Sequence, residues 1–171
     1  MTTYQRIRVL LALISARFDY NSSATTHMPI DLWLSAQKEV DQLVSVCVQE
    51  SQYSIQEITE DYDELLERSP ETESSGIVKI RGSVISFVDR LDDEFTRSLQ
   101  NIDPHGTEYV DRLKDEKSLY FTICRAQAHY EKTQQEDPLG RVIMRRLEHI
   151  YSKVRSCAVQ RAVIAHHPCT A

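Results

Sequence analysis

The order of apolar and polar residues along the chain predicts long helices and few strands. The strongest repeat lies between residues 76 and 102, where apolar side chains recur at steps of mostly three and four. Its members are Ile77, Ile80, Val84, Val88, Leu91, Phe95, Leu99 and Ile102. Such spacing places apolar side chains on one face of a helix that packs against a core. We therefore predict a helix over about 76–101.

Similar spacing predicts four other long helices. We place them over residues 3–18, from Pro29 to about 52, from Thr107 to about 133, and from Asp137 to 157 or beyond. The 29–52 helix carries Trp33, Val40, Val44 and Cys47 on one stripe. Burial is predicted in the 107–133 helix for Val110, Leu113, Tyr120 or Phe121, Cys124 and Ala128. In the last helix it is predicted for Leu139, Ile143, Leu147, Ile150, Val154 and Cys157.

A turn at residues 103–106 separates the 76–101 and 107–133 helices. Pro104 cannot continue a helical ladder and disfavours helical geometry at the residue before it. We expect an antiparallel hairpin that buries Val84, Val88, Leu91 and Phe95 against Leu113, Tyr120 and Cys124. Only four glycines and five prolines occur in 171 residues, less than half their usual combined share of about 12%. The prediction is one all-α domain over residues 1–171, with antiparallel hairpins of long helices forming a bundle or short α-solenoid.

One segment is strongly acidic. Between Glu50 and Glu73 nine acidic residues accompany a single base, Arg68. Like charges three and four residues apart oppose a helix, although a short helical stretch within 55–68 remains open. We predict a mobile acidic connection at about 54–75.

The chemistry-bearing residues do not form a recognisable catalytic, cofactor or metal motif. The four glycines are isolated, so no phosphate-binding loop is predicted. Cys47, Cys124, Cys157 and Cys169 are scattered and are interpreted as reduced thiols. Cys157 with His166, His167 and Cys169 does not match zinc-ligand spacing, and the carboxylates at 92–94 and 115–116 are interpreted as solvated faces. We expect no enzyme, no cofactor, no metal and no small-molecule substrate.

The start of the chain has two readings. Arg6 and Arg8 precede an apolar stretch over residues 9–16, as in a secretory signal. The same residues fit a buried helical stripe, and no apolar run reaches the ~18 residues that a membrane span needs. We expect a cytoplasmic protein without membrane contact.

The last predicted helix segregates positive charge. Between residues 141 and 161, six bases accompany one acid, Glu148, although the whole chain has a net charge of −6. The bases are Arg141, Arg145, Arg146, Lys153, Arg155 and Arg161. They either form a solvated face that pairs with the acidic segment of the same molecule, or contact phosphate or an acidic partner. Apolar residues continue over 159–164, which suggests that a further helix follows.

The segment over residues 81–116 resembles the c subunit of eukaryotic translation initiation factor 3. The matching residues are Arg81, Gly82, Arg90, Asp92 to Thr96, Gln100, Asn101, Asp103 to His105, Glu108 to Val110 and Leu113 to Glu116. The likeness extends more weakly over nearly the whole chain. It places these residues in an internal helical segment, and the C-terminal proteasome-COP9-initiation-factor domain of that family is not recognisable here.

The resemblance implies a non-catalytic scaffold segment of a multisubunit initiation factor. Its partners would be the other subunits of the factor and the small ribosomal subunit, through RNA or protein. The six bases of residues 141–161 are then the candidate contact residues. The alternative is a generic helical interaction or oligomerisation domain unrelated to the ribosome.

Overall fold

The computed structural model describes residues 2–20, 27–57 and 76–165, with side chains described as far as residue 151. This part of the chain contains six helices and two short strands. They are α1 (Thr3–Tyr20), α2 (Ile30–Gln49), β1 (Tyr53–Gln56), β2 (Val78–Arg81), α3 (Val84–Asn101), α4 (Thr107–Lys114), α5 (Glu116–Thr133) and α6 (Glu136–Ala165). The mainly helical class is confirmed. Within the described residues, no helix combines the length and apolar character that crossing a membrane requires.

The two strands add a short parallel pair to the otherwise helical fold. β1 and β2 pair in parallel, with Ile55 opposite Ile80, and both isoleucine side chains are buried. The predicted helix at 76–101 was therefore too long, and residues 54–56 of the predicted acidic connection are strand. The spacing of Ile77, Ile80 and Val84 fits a helix as well as a strand followed by a turn, which explains the error. Residues 58–75 of that connection lie outside the described residues.

Helix α3 begins at a side-chain cap that the apolar pattern concealed. The Ser83 hydroxyl accepts a hydrogen bond from the Ser86 backbone N–H at 3.2 Å. Such a cap satisfies one of the free amides in the first helical turn. A Cβ added at Gly82 would lie 3.1 Å from Leu11 Cδ2 and 3.2 Å from Ile55 Cγ2. The chain between β2 and α3 therefore passes close to α1 and β1.

The core lies around α2, which packs against α1, α3 and α5. Trp33 is fully buried, and its indole N–H donates to the Leu91 carbonyl oxygen at 2.9 Å. Burial of the predicted α2 stripe is confirmed, as is that of the predicted α3 residues. These α3 residues are Val84, Val88, Leu91 and Phe95.

The predicted 107–133 helix is divided, and its predicted buried face is wrong. Asp115 separates α4 from α5. Val110 and Phe121 are more than half exposed, and Leu119, Ile123, Ala126 and Tyr130 are buried instead. Ala128 is exposed, and Leu113, Tyr120 and Cys124 are only partly buried. The inward face of α5 also carries Thr122 and His129, so counting apolar residues alone selected the other face.

A left-handed residue sets the direction of the last helix. Gln134 has φ 54°, and its backbone N–H donates to the Tyr130 carbonyl oxygen. This geometry ends α5, since a left-handed residue after a helix lets the last carbonyls find partners without continuing the helix. The chain then enters α6, which packs against α5 and α3.

Candidate partner-binding surface on α6

Helix α6 is turned differently from its predicted orientation. Val142 is fully buried and His149 is 7% exposed, so these residues mark the inward side. Ile143, Leu147 and Ile150, which were predicted to be buried, are 37%, 53% and 42% exposed. Leu139 is partly buried, and the side chains of Val154 and Cys157 lie outside the described residues. The predicted helical phase of α6 is therefore wrong.

The cause of this orientation is a row of carboxylates on α3. Arg145 approaches Asp89 through Nε at 2.9 Å, Asp92 through Nη1 at 3.3 Å and Asp93 through Nη2 at 3.0 Å. Arg141 Nη2 lies 2.5 Å from Asp89 Oδ2. Because Asp92 and Asp93 lie three and four residues after Asp89, the three acids share one side of α3. The arginines of α6 are thus directed toward α3.

His149 joins three helices at the buried end of this row. Its Nε2 lies 2.8 Å from Asp92 Oδ1, and its Nδ1 lies 3.3 Å from Glu116 Oε1 on α5. Burial lowers the imidazole pKa, but the hydrogen bonds and charges of Asp92 and Glu116 outweigh burial and leave the pKa above its ordinary value. We call Asp89, Asp92, Asp93, Arg141, Arg145 and His149 the α3–α6 charge network.

The network changes the interpretation of the predicted basic surface. The predicted solvent face is wrong for Arg145, which is 28% exposed and surrounded by carboxylates. It is also wrong for Asp92, which is almost completely buried. Arg141 remains half exposed and reaches Glu57 of the acidic segment at 3.7 Å. The side chains of Lys153, Arg155 and Arg161 lie outside the described residues, and ribosome contact by the six bases stays a prediction.

Arg146 differs from the other two described arginines of α6. Its Nε donates to the Tyr120 hydroxyl at 3.3 Å, and its Nη1 donates to Gln127 Oε1 at 2.9 Å. Within the described side chains it forms no direct ion pair. The bond to Tyr120 is the main reason that its pKa is raised, and the charge of Glu131 contributes to the rise. Arg146 therefore lies between α5 and α6 with neutral hydrogen-bond acceptors.

The outward side of α6 is apolar. Its exposed members are Ile143, Met144, Leu147, Ile150 and Tyr151, which we call the α6 apolar face. A signal for this orientation was present in the sequence: acids at 89, 92 and 93 match bases at 141 and 145 and a histidine at 149. That signal requires knowing which helices are neighbours, so the pattern of one helix could not supply it.

The thiols and imidazoles do not assemble into a nucleophilic or metal site within the described residues. Cys47 is buried, and burial raises its pKa to about 12. No group of three His, Cys, Asp or Glu side chains in this part of the chain could hold a metal ion. The four side chains considered above as zinc ligands lie outside the residues that the structure describes. They are those of Cys157, His166, His167 and Cys169.

Comparison with known proteins assigns the chain to a family. The family model described as "Eukaryotic translation initiation factor 3 subunit 8 N-terminus" matches residues 1–169. The C subunit of eukaryotic translation initiation factor 3 from Mycosarcoma maydis is 56% identical over 151 residues, which are 88% of this chain and 17% of that protein. The same subunit from Emericella nidulans is 46% identical over 160 residues, 89% of this chain and 18% of that protein.

The subunit from Neurospora crassa is 42% identical over 160 residues, covering 90% of this chain and 18% of that protein. The chain thus spans about a sixth of the length of these relatives. The match runs over almost all of the chain and includes the 81–116 segment that carried the resemblance. The chain belongs to the family of the C subunit of eukaryotic translation initiation factor 3.

Proposed function

We propose that this segment is a non-catalytic helical scaffold within a multisubunit translation initiation factor. In this role it supports assembly with the other subunits and docking on the small ribosomal subunit. The observation that carries the proposal is the family match over residues 1–169. It is a proposal for the segment, because the relatives that bear the name are about five times as long as this chain.

The packing of the helices supports a scaffold role. One core built on α2 connects α1, α3 and α5, and the α3–α6 charge network fixes α6 to the same body. We propose that the helices are arranged as antiparallel hairpins in a bundle or short solenoid. Such an arrangement presents long helix faces to partners. The α6 apolar face is one such surface.

The six bases of α6 remain the proposed ribosome contacts, with unequal weight. Arg141 and Arg145 already neutralise carboxylates of α3, so a phosphate would have to compete with these pairs. Arg146 is held between α5 and α6 by its hydrogen bonds to Tyr120 and Gln127. We therefore assign the larger part of any ribosome contact to Lys153, Arg155 and Arg161.

Sedimentation of the intact factor with small ribosomal subunits tests this proposal. Replacing Lys153, Arg155 and Arg161 with Glu in the full-length subunit should weaken co-sedimentation. If the surface binds RNA, the slope of log affinity against log salt should flatten by roughly 0.7 to 0.9 for each phosphate that the variant no longer neutralises. The matched control replaces the exposed bases Arg6, Lys38 and Lys117 with Glu, which gives the same charge change elsewhere.

The outcomes separate three possibilities. Equal binding of variant and control contradicts the ribosome contact of α6. Loss of co-sedimentation only in the α6 variant supports it. A wild-type subunit that enters neither the factor nor the ribosomal fraction supports the alternative, a helical interaction domain unrelated to the ribosome.

A further inference from the structure

The α6 apolar face has the spacing of a helix-binding seam. Ile143, Leu147 and Ile150 follow one another at steps of four and three, and all three are exposed. Alternating steps of four and three form the stripe through which two helices pack side by side. Met144 and Tyr151, each more than half exposed, widen the stripe. Exposed apolar surface of this kind typically marks an interaction site.

The seam also borders the Arg146 guanidinium, which has neutral hydrogen-bond acceptors and interacts with the Glu131 carboxylate through charge alone. Arg146 lies three residues after Ile143 and four before Ile150, so it shares their side of the helix. Two of its five N–H donors bind the Tyr120 hydroxyl and Gln127 Oε1. These bonds hold the guanidinium in place and leave other donors for a ligand. By contrast, Arg141 and Arg145 both pair with carboxylates.

Helix α5 extends the same surface with aromatic side chains. The Tyr120 ring, whose hydroxyl accepts from Arg146, lies edge to face with Phe121 at 6.5 Å between centroids. Phe121 is 52% exposed. An arginine flanked by aromatic and aliphatic side chains has the composition of the energetic centre of a protein interface.

We propose that this surface binds an amphipathic helix of another subunit of the initiation factor, with apolar side chains on Ile143, Leu147 and Ile150 and a carboxylate on Arg146. The inference rests on the proposed assembly role and specifies the partner's chemistry. A carboxylate matches the guanidinium donors that Tyr120 and Gln127 leave available and would form a direct ion pair with them. A second copy of α6 would instead place a second arginine against Arg146, and RNA would leave the apolar seam uncovered.

Photo-cross-linking in the intact factor tests the inference. A benzophenone-bearing phenylalanine is placed at Leu147 of the full-length subunit, where the side chain is 53% exposed. We expect cross-links to one helical segment of another subunit that carries an Asp or Glu within one turn of the linked residue. The matched control places the same group at Val110 on α4, which is 56% exposed and lies outside this surface.

A charge exchange tests the carboxylate. Arg146→Glu should reduce the Leu147 cross-link at least about tenfold, since the loss of a charge-assisted hydrogen bond weakens binding by roughly that factor or more. Replacing the partner's carboxylate residue with Arg should restore the cross-link in that variant. An Arg146→Glu cross-link at the wild-type level overturns the assignment of a carboxylate.

Other cross-linked products also overturn the inference. These are ribosomal RNA, a second copy of the subunit, another part of the same polypeptide, or a yield no higher than at Val110. Factor assembly and co-sedimentation with small ribosomal subunits are measured in the same samples. If the factor assembles and co-sediments normally while the cross-link is absent, only the partner-helix inference fails. If the wild-type subunit neither assembles into the factor nor co-sediments with ribosomal subunits, the proposed function fails.

Discussion

At the residue scale, the surroundings of two buried histidines shift their pKa values in opposite directions. His129 is fully buried, and neither ring nitrogen has a hydrogen-bond partner within the described residues. Burial, with a smaller contribution from Lys132, lowers its pKa to about 4. His149 has two carboxylate partners and a raised pKa. The contribution of His149 to stability is fully present below its ordinary pKa and is lost as the pH rises through the raised value. For His129 the dependence is opposite, so the fold loses stability as the pH falls.

The lowered pKa of His129 predicts a specific loss of stability in acid. Its folded pKa of about 4 lies below its ordinary value of 6.5, so the unfolded chain binds more protons between these values. The free energy of unfolding should therefore fall as the pH drops below 6.5, by roughly 2 kcal/mol at pH 5 from this residue. Urea unfolding of wild type and His129→Leu at pH 7.5 and 5 measures the effect. A variant with the wild-type pH slope would contradict the burial of a neutral imidazole.

At the element scale, α3 and α6 differ in how far sequence could predict them. The α3 face from Val84 to Phe95 is apolar and packs on an apolar core, so periodicity alone gave the correct phase. The phase of α6 is set by Arg145 and His149 meeting the carboxylates of α3. An apolar stripe does not distinguish a face that packs within the chain from one left exposed. The candidate bases were found from the sequence, but not the carboxylates that Arg141 and Arg145 meet or the neutral acceptors of Arg146.

The α3–α6 charge network predicts an unequal cost for removing arginines. Arg145→Met leaves Asp92, which is 5% exposed, without its guanidinium partner. Breaking a largely buried charge pair in this way should lower the free energy of unfolding by about 2–3 kcal/mol. The matched control is Arg97→Met: the Arg97 side chain is 53% exposed in its pair with Glu94, so solvent screens the pair, which should be worth about 0.5 kcal/mol or less. Chemical denaturation measures both, and equal costs would show that Arg145 is merely solvated.

At the scale of the whole molecule, the core is organised around one aromatic cluster. Trp33 on α2 lies 5.7 Å from Phe95 on α3 between ring centroids. The buried Arg112 guanidinium is placed over both rings, at 4.1 Å from Trp33 and 4.9 Å from Phe95. The arginine also reaches Ser98 and Asp115. This cluster therefore joins α2, α3 and the junction between α4 and α5.

Removing the Phe95 ring should destabilise the whole fold. Phe95 is 3% exposed, and truncating a buried aromatic side chain to Ala usually costs about 3–5 kcal/mol. Phe95→Ala should lower the midpoint of thermal unfolding sharply. Phe121→Ala removes the same ring from an exposed position and should change the midpoint little. A Phe95 variant that melts with the wild type would contradict the described core.

The central prediction concerns the orientation of α6. Arg145 and His149 of this helix meet the carboxylates of α3, and we propose that its exposed apolar face binds a partner. The most direct measurement is the rate of thiol labelling of Leu147→Cys and Val142→Cys, in the isolated segment and in the assembled factor. We predict fast labelling at Leu147→Cys and slow labelling at Val142→Cys in the segment, because their side chains are 53% and 0% exposed. We also predict that assembly slows labelling at Leu147→Cys but not at the exposed control Val9→Cys. Faster labelling at Val142→Cys than at Leu147→Cys in the segment, or an unchanged rate at Leu147→Cys on assembly, would contradict the claim.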